Sequence, residues 1–371
     1  MYNRVLLKKI ESKFFKGKAI VLIGPRQVGK TTLIKEILTN KKYLFLDGDD
    51  PSVRDIMTNP NTEKLRSIIG ENTIVFIDEA QRIENIGVTS KIIADQFKLV
   101  QLILSGSSSF DINNQINEPL TGRKWEYELY PISWEEFENK EGYIKAQQKL
   151  EQQLIYGFYP DVLNHVGEEK IVLNTLVNSY LYKDILAFYD IRKPELLEQL
   201  VKALALQIGN EISYNELAQI IGADKATVQK YIDILEKGYV VFRLGSYSKN
   251  IRNEIKTNKK IYFYDNGVRN AVIGNFTDFN LRMDKGALWE NFLISERIKQ
   301  NLYKEKYANI YFWRTKQQQE VDFVEEINGL PLGYEFKWKA KKNIRLPKTF
   351  TNEYKTGGII DSSNFRDFVI I

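Results

Sequence analysis

The run Gly24-Pro25-Arg26-Gln27-Val28-Gly29-Lys30-Thr31 constrains this chain more than any other stretch. It matches G-x-x-x-x-G-K-[ST]. It follows the apolar run Ala19-Ile20-Val21-Leu22-Ile23 and precedes the helical spacing of Leu33, Ile34, Ile37 and Leu38. Strand, glycine-rich loop and helix in that order are the context a phosphate-binding loop requires. The two glycines let the backbone curl so that successive N–H groups face one centre, where the helix N-terminus adds partial positive charge. Residues Gly24 to Thr32 are therefore expected to line the phosphates, with Lys30 reaching the β- and γ-phosphates and the Thr31 hydroxyl ligating Mg²⁺. A glycine-rich turn that merely opens a helix is the alternative, and Lys and Thr together in register disfavour it. The expected ligands are ATP, or another nucleoside triphosphate, and Mg²⁺.

With 371 residues the chain is long enough for two or three domains with ample cores. Hydrophobic content of 43% and charged content of 27% are those of a soluble globular protein. No run of about 18 apolar residues appears, so no membrane span is expected, and the N-terminal Met1-Tyr2-Asn3-Arg4 lacks an apolar signal core, which points to the cytoplasm. The absence of cysteine excludes disulfides, thiolate metal sites and thiol nucleophiles. A lone His165 argues against histidine-rich metal sites and a Ser-His-Asp hydrolase, so any metal must be held by oxygen. A net charge of +5 suits contact with DNA without demonstrating it.

Strands are expected at Ala19–Gly24, Tyr43–Asp47, Thr73–Asp78, Val100–Ser105 and Trp125–Leu129. Nearly continuous apolar runs such as Ile74-Val75-Phe76-Ile77 indicate strands buried on both faces. The expected class is therefore α/β, a parallel sheet with helices on both faces. A carboxylate at the C-terminal end of a buried strand faces the phosphate loop in such sheets. Asp78 would thus hold Mg²⁺ through its water shell, and Glu79 would polarise the attacking water. The run Ser105-Gly106-Ser107-Ser108-Ser109 ends another strand. Ser105 and Ser107 are equal candidates to touch the γ-phosphate, and a plain serine-rich turn fits as well. In Leu120-Thr121-Gly122-Arg123 the arginine lies in a loop. It could serve a γ-phosphate in its own subunit or in a neighbour of a homo-oligomer, or be an ordinary surface residue.

The segments GPRQVGKTTL, VFIDEAQR, LSGSSS and LTGRKWEYELYPISWEEF, in this order and spacing, resemble a prokaryotic branch of the AAA ATPases. Those chains carry a C-terminal domain of unknown function, the type numbered 4143, and the resemblance covers essentially the whole length. It implies an AAA-type core in which Asp78, Glu79, a serine near Ser107 and Arg123 take the usual positions. No second sensor arginine, present in many AAA proteins, is identifiable.

Residues from about 136 to 250 read as helices. Ser213-x-x-Glu216 forms a capping box, and Tyr214, Leu217, Ala218 and Ile221 follow i, i+3, i+4, i+7. A Gly222-Ala223-Asp224 turn leads to a helix Lys225–Lys237, then a strand Tyr239–Leu244. Helix, tight turn, helix and strand describe a winged helix-turn-helix. Lys225, Thr227, Gln229 and Lys230 are left for solvent, a DNA groove or a packing role as a lid.

From about 251 to 371 the main signal is a hairpin. Asn328-Gly329 separates two alternating runs, so Ile327 faces Leu330, Asp322 faces Glu335 and Glu320 faces Lys337. Alternation puts those four charged residues on one face and Val321, Phe323, Tyr334, Phe336 and Trp338 on the other. Opposed like charges are unfavourable without a cation, and cross-strand Cβ atoms lie roughly 4.5–5.5 Å apart, close enough for two carboxylates to share one metal. Glu290, on an upstream helix, is a third ligand candidate. Helix-borne Glu, then Asp…Glu-x-Lys on a hairpin, resembles the restriction-endonuclease-like nuclease core, whose lysine, here Lys337, stabilises charge at the scissile phosphate. A solvated charged face with a Glu320–Lys337 ion pair is the alternative. The expected organisation is an ATPase domain (1–135), a helical and winged-helix domain (136–250) and a nuclease-like domain (251–371). Three activities fit: an ATPase acting on DNA, a nucleotide-gated switch with a degenerate nuclease, or an ATP-regulated DNA nuclease.

Overall fold

All five apolar runs of the first 135 residues become strands: β1 (Ala19–Ile23), β2 (Leu44–Asp47), β3 (Ile74–Asp78), β4 (Gln101–Gly106) and β5 (Lys124–Glu128). They form one sheet in the order β2-β3-β4-β1-β5, every neighbour parallel. Val21, Ile23, Val75, Ile77, Leu102 and Leu104 enter one hydrophobic cluster. Ile20, Leu22, Phe76 and Ile103, which alternate with them, are equally buried on the opposite face. Burying each such side chain contributes about 1.5–3 kcal/mol, which fixes the register of strands that have no solvent-facing side. Parallel strands share one C-terminal edge, and the loop after β1, the carboxylates closing β3 and the serines closing β4 all lie on it.

The computed structural model describes residues 2–107, 116, 118–179, 191, 193–248, 259–339 and 344–370. Ser108 and Ser109, named above, lie outside them. The chain divides into two units, residues 1–130 with 237–239 and residues 131–236 with 240–371. The break at 130 falls close to the expected boundary near 135. The stretches expected as separate domains on either side of residue 250 instead contribute strands to one sheet. These are β6 (Glu211–Ile212), β7 (Val241–Ser246), β8 (Lys259–Phe263), β9 (Asn309–Arg314), β10 (Glu320–Ile327), β11 (Leu330–Phe336) and β12 (Lys355–Ile360). Their order is β12-β11-β10-β9-β7-β8-β6.

Between β6 and β7 stand the helices Tyr214–Ile221 and Lys225–Lys237. Leu217, Ala218, Ile221, Val228, Ile232 and Leu235 are buried, as their spacing requires. Only half of the expected capping box forms: the Ser213 hydroxyl accepts the Glu216 N–H at 3.4 Å. Gly222 closes the first helix, and Asp224 caps the second by accepting the Thr227 N–H at 2.8 Å.

The 19-residue helix Lys285–Tyr303 packs polar as well as apolar side chains inward. Asn291 accepts the Phe263 N–H at 2.7 Å and donates to the Phe263 carbonyl at 3.0 Å, which ties the helix to β8. Arg297 and Glu325 form a buried two-pronged pair, Nε–Oε1 2.9 Å and Nη2–Oε2 2.6 Å. Arg297 Nη1 also donates to Gln300 Oε1 and to the Phe368 carbonyl, each at 2.8 Å. Burial pushes the Glu325 carboxyl up, but the Arg297 bonds and charge outweigh it and hold the group below the usual carboxylate range.

The Asn328-Gly329 turn has φ of 53° and 75°, the left-handed pair a two-residue hairpin needs. Pairing runs Ile327↔Leu330 to Phe323↔Tyr334, the expected register. Alternation fails beyond it: β10 slips by one residue against β9 between Val321 and Val324. That bulge turns Val321 onto the side of Val324, Leu346 and Phe350, away from the Phe323 face where it was expected.

Candidate active site

The phosphate loop is built as its spacing demands. Gly24 has φ +147°, and a Cβ there would stand 2.0 Å from the Leu129 carbonyl oxygen, so only glycine fits beside the end of β5. Gly29, also left-handed, is the N-cap of the helix Lys30–Ile37. Arg26 is half-buried, and Gln27 is exposed in the left-handed region at φ 61°. Pro25 and Val28 are buried, Thr31 is half-buried and Thr32 is exposed. Lys30 is only 5% exposed. Its ammonium donates to the Gly24 carbonyl at 2.9 Å and the Pro25 carbonyl at 2.7 Å. Burial pulls the Lys30 pKa down to about 8, against the opposing charges of Glu79 and Asp78. A buried cation facing a curled backbone suits a polyanion, and nucleotide phosphates match that chemistry.

Asp78 links both sides of this centre. Its Oδ2 accepts the Thr31 hydroxyl at 2.6 Å, and its Oδ1 accepts the Ser105 hydroxyl in a short bond. A hydroxyl and a carboxylate already in contact are hard oxygen donors of the kind Mg²⁺ takes. Glu79 is the next residue, with a left-handed backbone at φ 43°. Its Oε2 accepts the Ser107 hydroxyl at 2.9 Å and the Gln81 amide at 2.5 Å. The two serines that were equal in sequence therefore separate: Ser105 bonds the Asp78 carboxylate and Ser107 that of Glu79. Gln81 stood within the quoted run after β3, but nothing in its spacing marked it; its contact follows from the turn at Glu79.

Arg123 is not brought to this centre within its own chain. It precedes β5, and its carbonyl accepts the Ala19 N–H at 2.8 Å, which puts it at the start of β1 rather than the end. Five strand residues separate the two edges, roughly 13–16 Å. Its Nε pairs instead with Asp95 Oδ1 at 2.7 Å.

The second unit gathers the other expected residues, but as two lysine-centred groups. Lys260, 3% exposed, donates to Glu290 Oε1 at 3.2 Å and Glu320 Oε1 at 2.6 Å. The Tyr262 hydroxyl also donates to Glu290. Lys337 reaches Glu335 Oε1 at 2.6 Å and Asp322 Oδ2 at 3.7 Å, and Asp322 accepts the Phe336 N–H at 2.7 Å. Glu320 pairs with Lys260 and, at 3.5 Å, with Arg314, so the anticipated Glu320–Lys337 pair is absent. Burial raises all three expected ligands, Glu290 to about 7, with Asp322 adding repulsion on Glu290 and Glu335. Among the described residues no group of three carboxylate or histidine side chains lies close enough to hold a metal ion. The joint metal site expected of Glu290, Asp322 and Glu335 is not assembled, because the ammonium groups of Lys260 and Lys337 already answer their charge. Lys260 and Tyr262 carried no motif; they matter only because β8 lies within reach of Glu290.

Among the described residues no helix is long and apolar enough to cross a membrane. Family models match three successive stretches: an AAA domain at residues 16–138, a domain of unknown function (DUF8612) at 147–278, and another (DUF4143) at 285–367. The chain is similar to the uncharacterized protein Rv2008c of Mycobacterium tuberculosis, 26% identical over 343 residues, covering 91% of this chain and 74% of that protein. It is also similar to the uncharacterized protein MJ1544 of Methanocaldococcus jannaschii, 22% identical, covering 86% of this chain and 75% of that one. In fold it resembles the Walker-type ATPase PABY2304 of Pyrococcus abyssi, with TM-score 0.53, 14% identity, and coverage of 74% of this chain and 96% of that one. The parallel sheet with its glycine-rich loop lies where the AAA model matches: the chain carries an AAA domain over residues 16–138 and a C-terminal DUF4143 domain over residues 285–367.

Proposed function

We propose that this protein is a Mg²⁺-dependent ATP hydrolase whose turnover is coupled to DNA. The observation that carries the hydrolase reading is the convergence of Lys30, Thr31, Asp78 and Glu79 on one edge of the sheet, linked by the Thr31–Asp78 bond of 2.6 Å. Thr31 and Asp78 would hold Mg²⁺, which when bound neutralises phosphate charge. Lys30 holds the β- and γ-phosphates, and Glu79 accepts the proton of the attacking water. Arg123 acts on ATP held by a neighbouring copy of the chain, since its position at the far edge of the sheet removes it from its own site. Mixing Arg123→Ala with Lys30→Ala should then restore turnover that each variant lacks alone. A strictly monomeric protein, or no recovery on mixing, rules this out.

The DNA reading is supported by the net charge of +5 and by the helix-turn-helix, whose Lys225, Gln229 and Lys230 are exposed. We read the second unit as restriction-endonuclease-like in fold, with Lys337 and Lys339 serving DNA contact rather than cleavage. The filling of the carboxylate cluster by two ammonium groups favours that reading over an active nuclease. Steady-state ATP turnover, with Mg²⁺ or with chelator, and with single-stranded, duplex or branched DNA, tests it. Mg²⁺-dependent turnover stimulated several-fold by one DNA form is expected. Turnover indifferent to every DNA form would instead favour a protein-directed switch, and metal-dependent nicking of the DNA would restore the nuclease.

A further inference from the structure

We propose that Gln81 is a positioning residue that, with Ser107, fixes the carboxylate of Glu79 for water activation; this rests on the hydrolase reading above. Three side chains close a triangle. The Gln81 amide nitrogen donates to Glu79 Oε2 at 2.5 Å and to Ser107 Oγ at 3.0 Å, and the Ser107 hydroxyl donates to the same Oε2 at 2.9 Å. The donor count closes as well: both amide hydrogens and the hydroxyl hydrogen are used, and each has an acceptor.

Backbone geometry brings the triangle about. Glu79 adopts the left-handed region, which strains a non-glycine residue and persists only where the surroundings impose it. The chain then enters the short 3₁₀ turn Ala80–Arg82, which swings Gln81 back toward Glu79 and leaves it 5% exposed. Ser107 arrives from the neighbouring strand end, because β3 and β4 run parallel with Ile77 beside Leu104. Both bonds that Glu79 accepts within this triangle end on Oε2. Among the described residues nothing donates to Oε1, so that oxygen is the one available to a water.

A glutamate side chain that is free to rotate loses rotamer freedom on being ordered, and Gln81 and Ser107 remove that cost before the reaction begins. A base is effective when a third group orients it, and misplacement by about 1 Å costs on the order of 10²-fold in rate. In this arrangement Gln81 acts through Glu79, whose Oε2 it bonds.

The test is a double-mutant cycle on the full-length chain, read by single-turnover ATP hydrolysis and by equilibrium ATP binding. Gln81→Ala and the similarly long, apolar Gln81→Met should lower the hydrolysis rate about 10- to 100-fold with ATP affinity essentially unchanged. Ser107→Ala should give a loss of the same kind through the other side of the triangle. In a Glu79→Gln background the same substitutions should cost almost nothing further, because the group they orient is gone. An undiminished rate in Gln81→Met, or an equal loss with and without the Glu79 carboxylate, overturns the proposal. If Gln81→Ala fails to fold, Gln81→Met and Ser107→Ala carry the test. Wild-type turnover that survives Glu79→Gln would instead sink the base reading itself, an outcome separate from any result at Gln81.

Discussion

Glu79→Gln is expected to bind ATP as tightly as the parent chain and to hydrolyse it about 10²–10⁴-fold more slowly, the usual loss for a positioned general base. Lys30→Ala, in contrast, is expected to lose binding itself. The two residues part because they do different work. Lys30 is a buried cation at the loop, bonded to the Gly24 and Pro25 carbonyls, and in the proposed mechanism its charge serves phosphate binding before any chemistry. Glu79 lies past Asp78 and is held by Ser107 and Gln81, outside the Thr31–Asp78 contact where the metal-side donors meet. Equilibrium binding of ATP and steady-state hydrolysis, measured on both variants, decide the matter. Full turnover in Glu79→Gln would remove that residue from the mechanism, and tight ATP binding by Lys30→Ala would move the nucleotide elsewhere.

The second large effect concerns stability. Arg297→Met should destabilise the second unit by about 3–5 kcal/mol, because it leaves the Glu325 carboxylate buried without its partner. Glu325 is 2% exposed and, among the described residues, would retain only the Asn301 amide, at 2.6 Å, as a donor. A domain typically holds about 5–15 kcal/mol in all, so the urea midpoint of this unit should fall by a large fraction. Adding Glu325→Leu to Arg297→Met should recover much of the loss, since a well-packed apolar pair costs far less than an unpaired buried charge. A midpoint unmoved by Arg297→Met would mean that water or another cation reaches Glu325.

Much of this was legible in the residues alone, for reasons that differ by element. Strands β1, β3 and β4 of the first sheet could be read because burial on both faces makes each a nearly continuous apolar run, whereas β2 and β5, at the sheet's edges, are only partly buried. The hairpin register could be read because Asn328-Gly329 admits one turn length. The bulge in β10 could not, since it depends on how β9 pairs with the other edge. Lys260 and Tyr262 were illegible for a related reason. Their strand meets Glu290 only because the helix Lys285–Tyr303 packs against β8, a tertiary contact that no local pattern encodes, and without them the carboxylates resemble a metal site. Arg123 is a different case. A residue just before a parallel strand must sit at its N-terminal edge, so its distance from its own phosphate loop follows from strand direction, whatever its loop setting suggests.

Near the start of the chain, Arg4 is 8% exposed and donates from Nη1 to the Val28 carbonyl at 2.7 Å and from Nη2 to the Tyr130 carbonyl at 2.6 Å. Val28 lies at the crest of the phosphate loop; Tyr130 is where the polypeptide leaves the first unit after β5. A guanidinium is a flat, rigid fork, so these two backbone points are joined by a strut of fixed length. The loop cannot shift by an ångström without stretching one of those bonds or dragging Tyr130 with it. One side chain thus holds both the loop and the polypeptide's point of exit from the first unit.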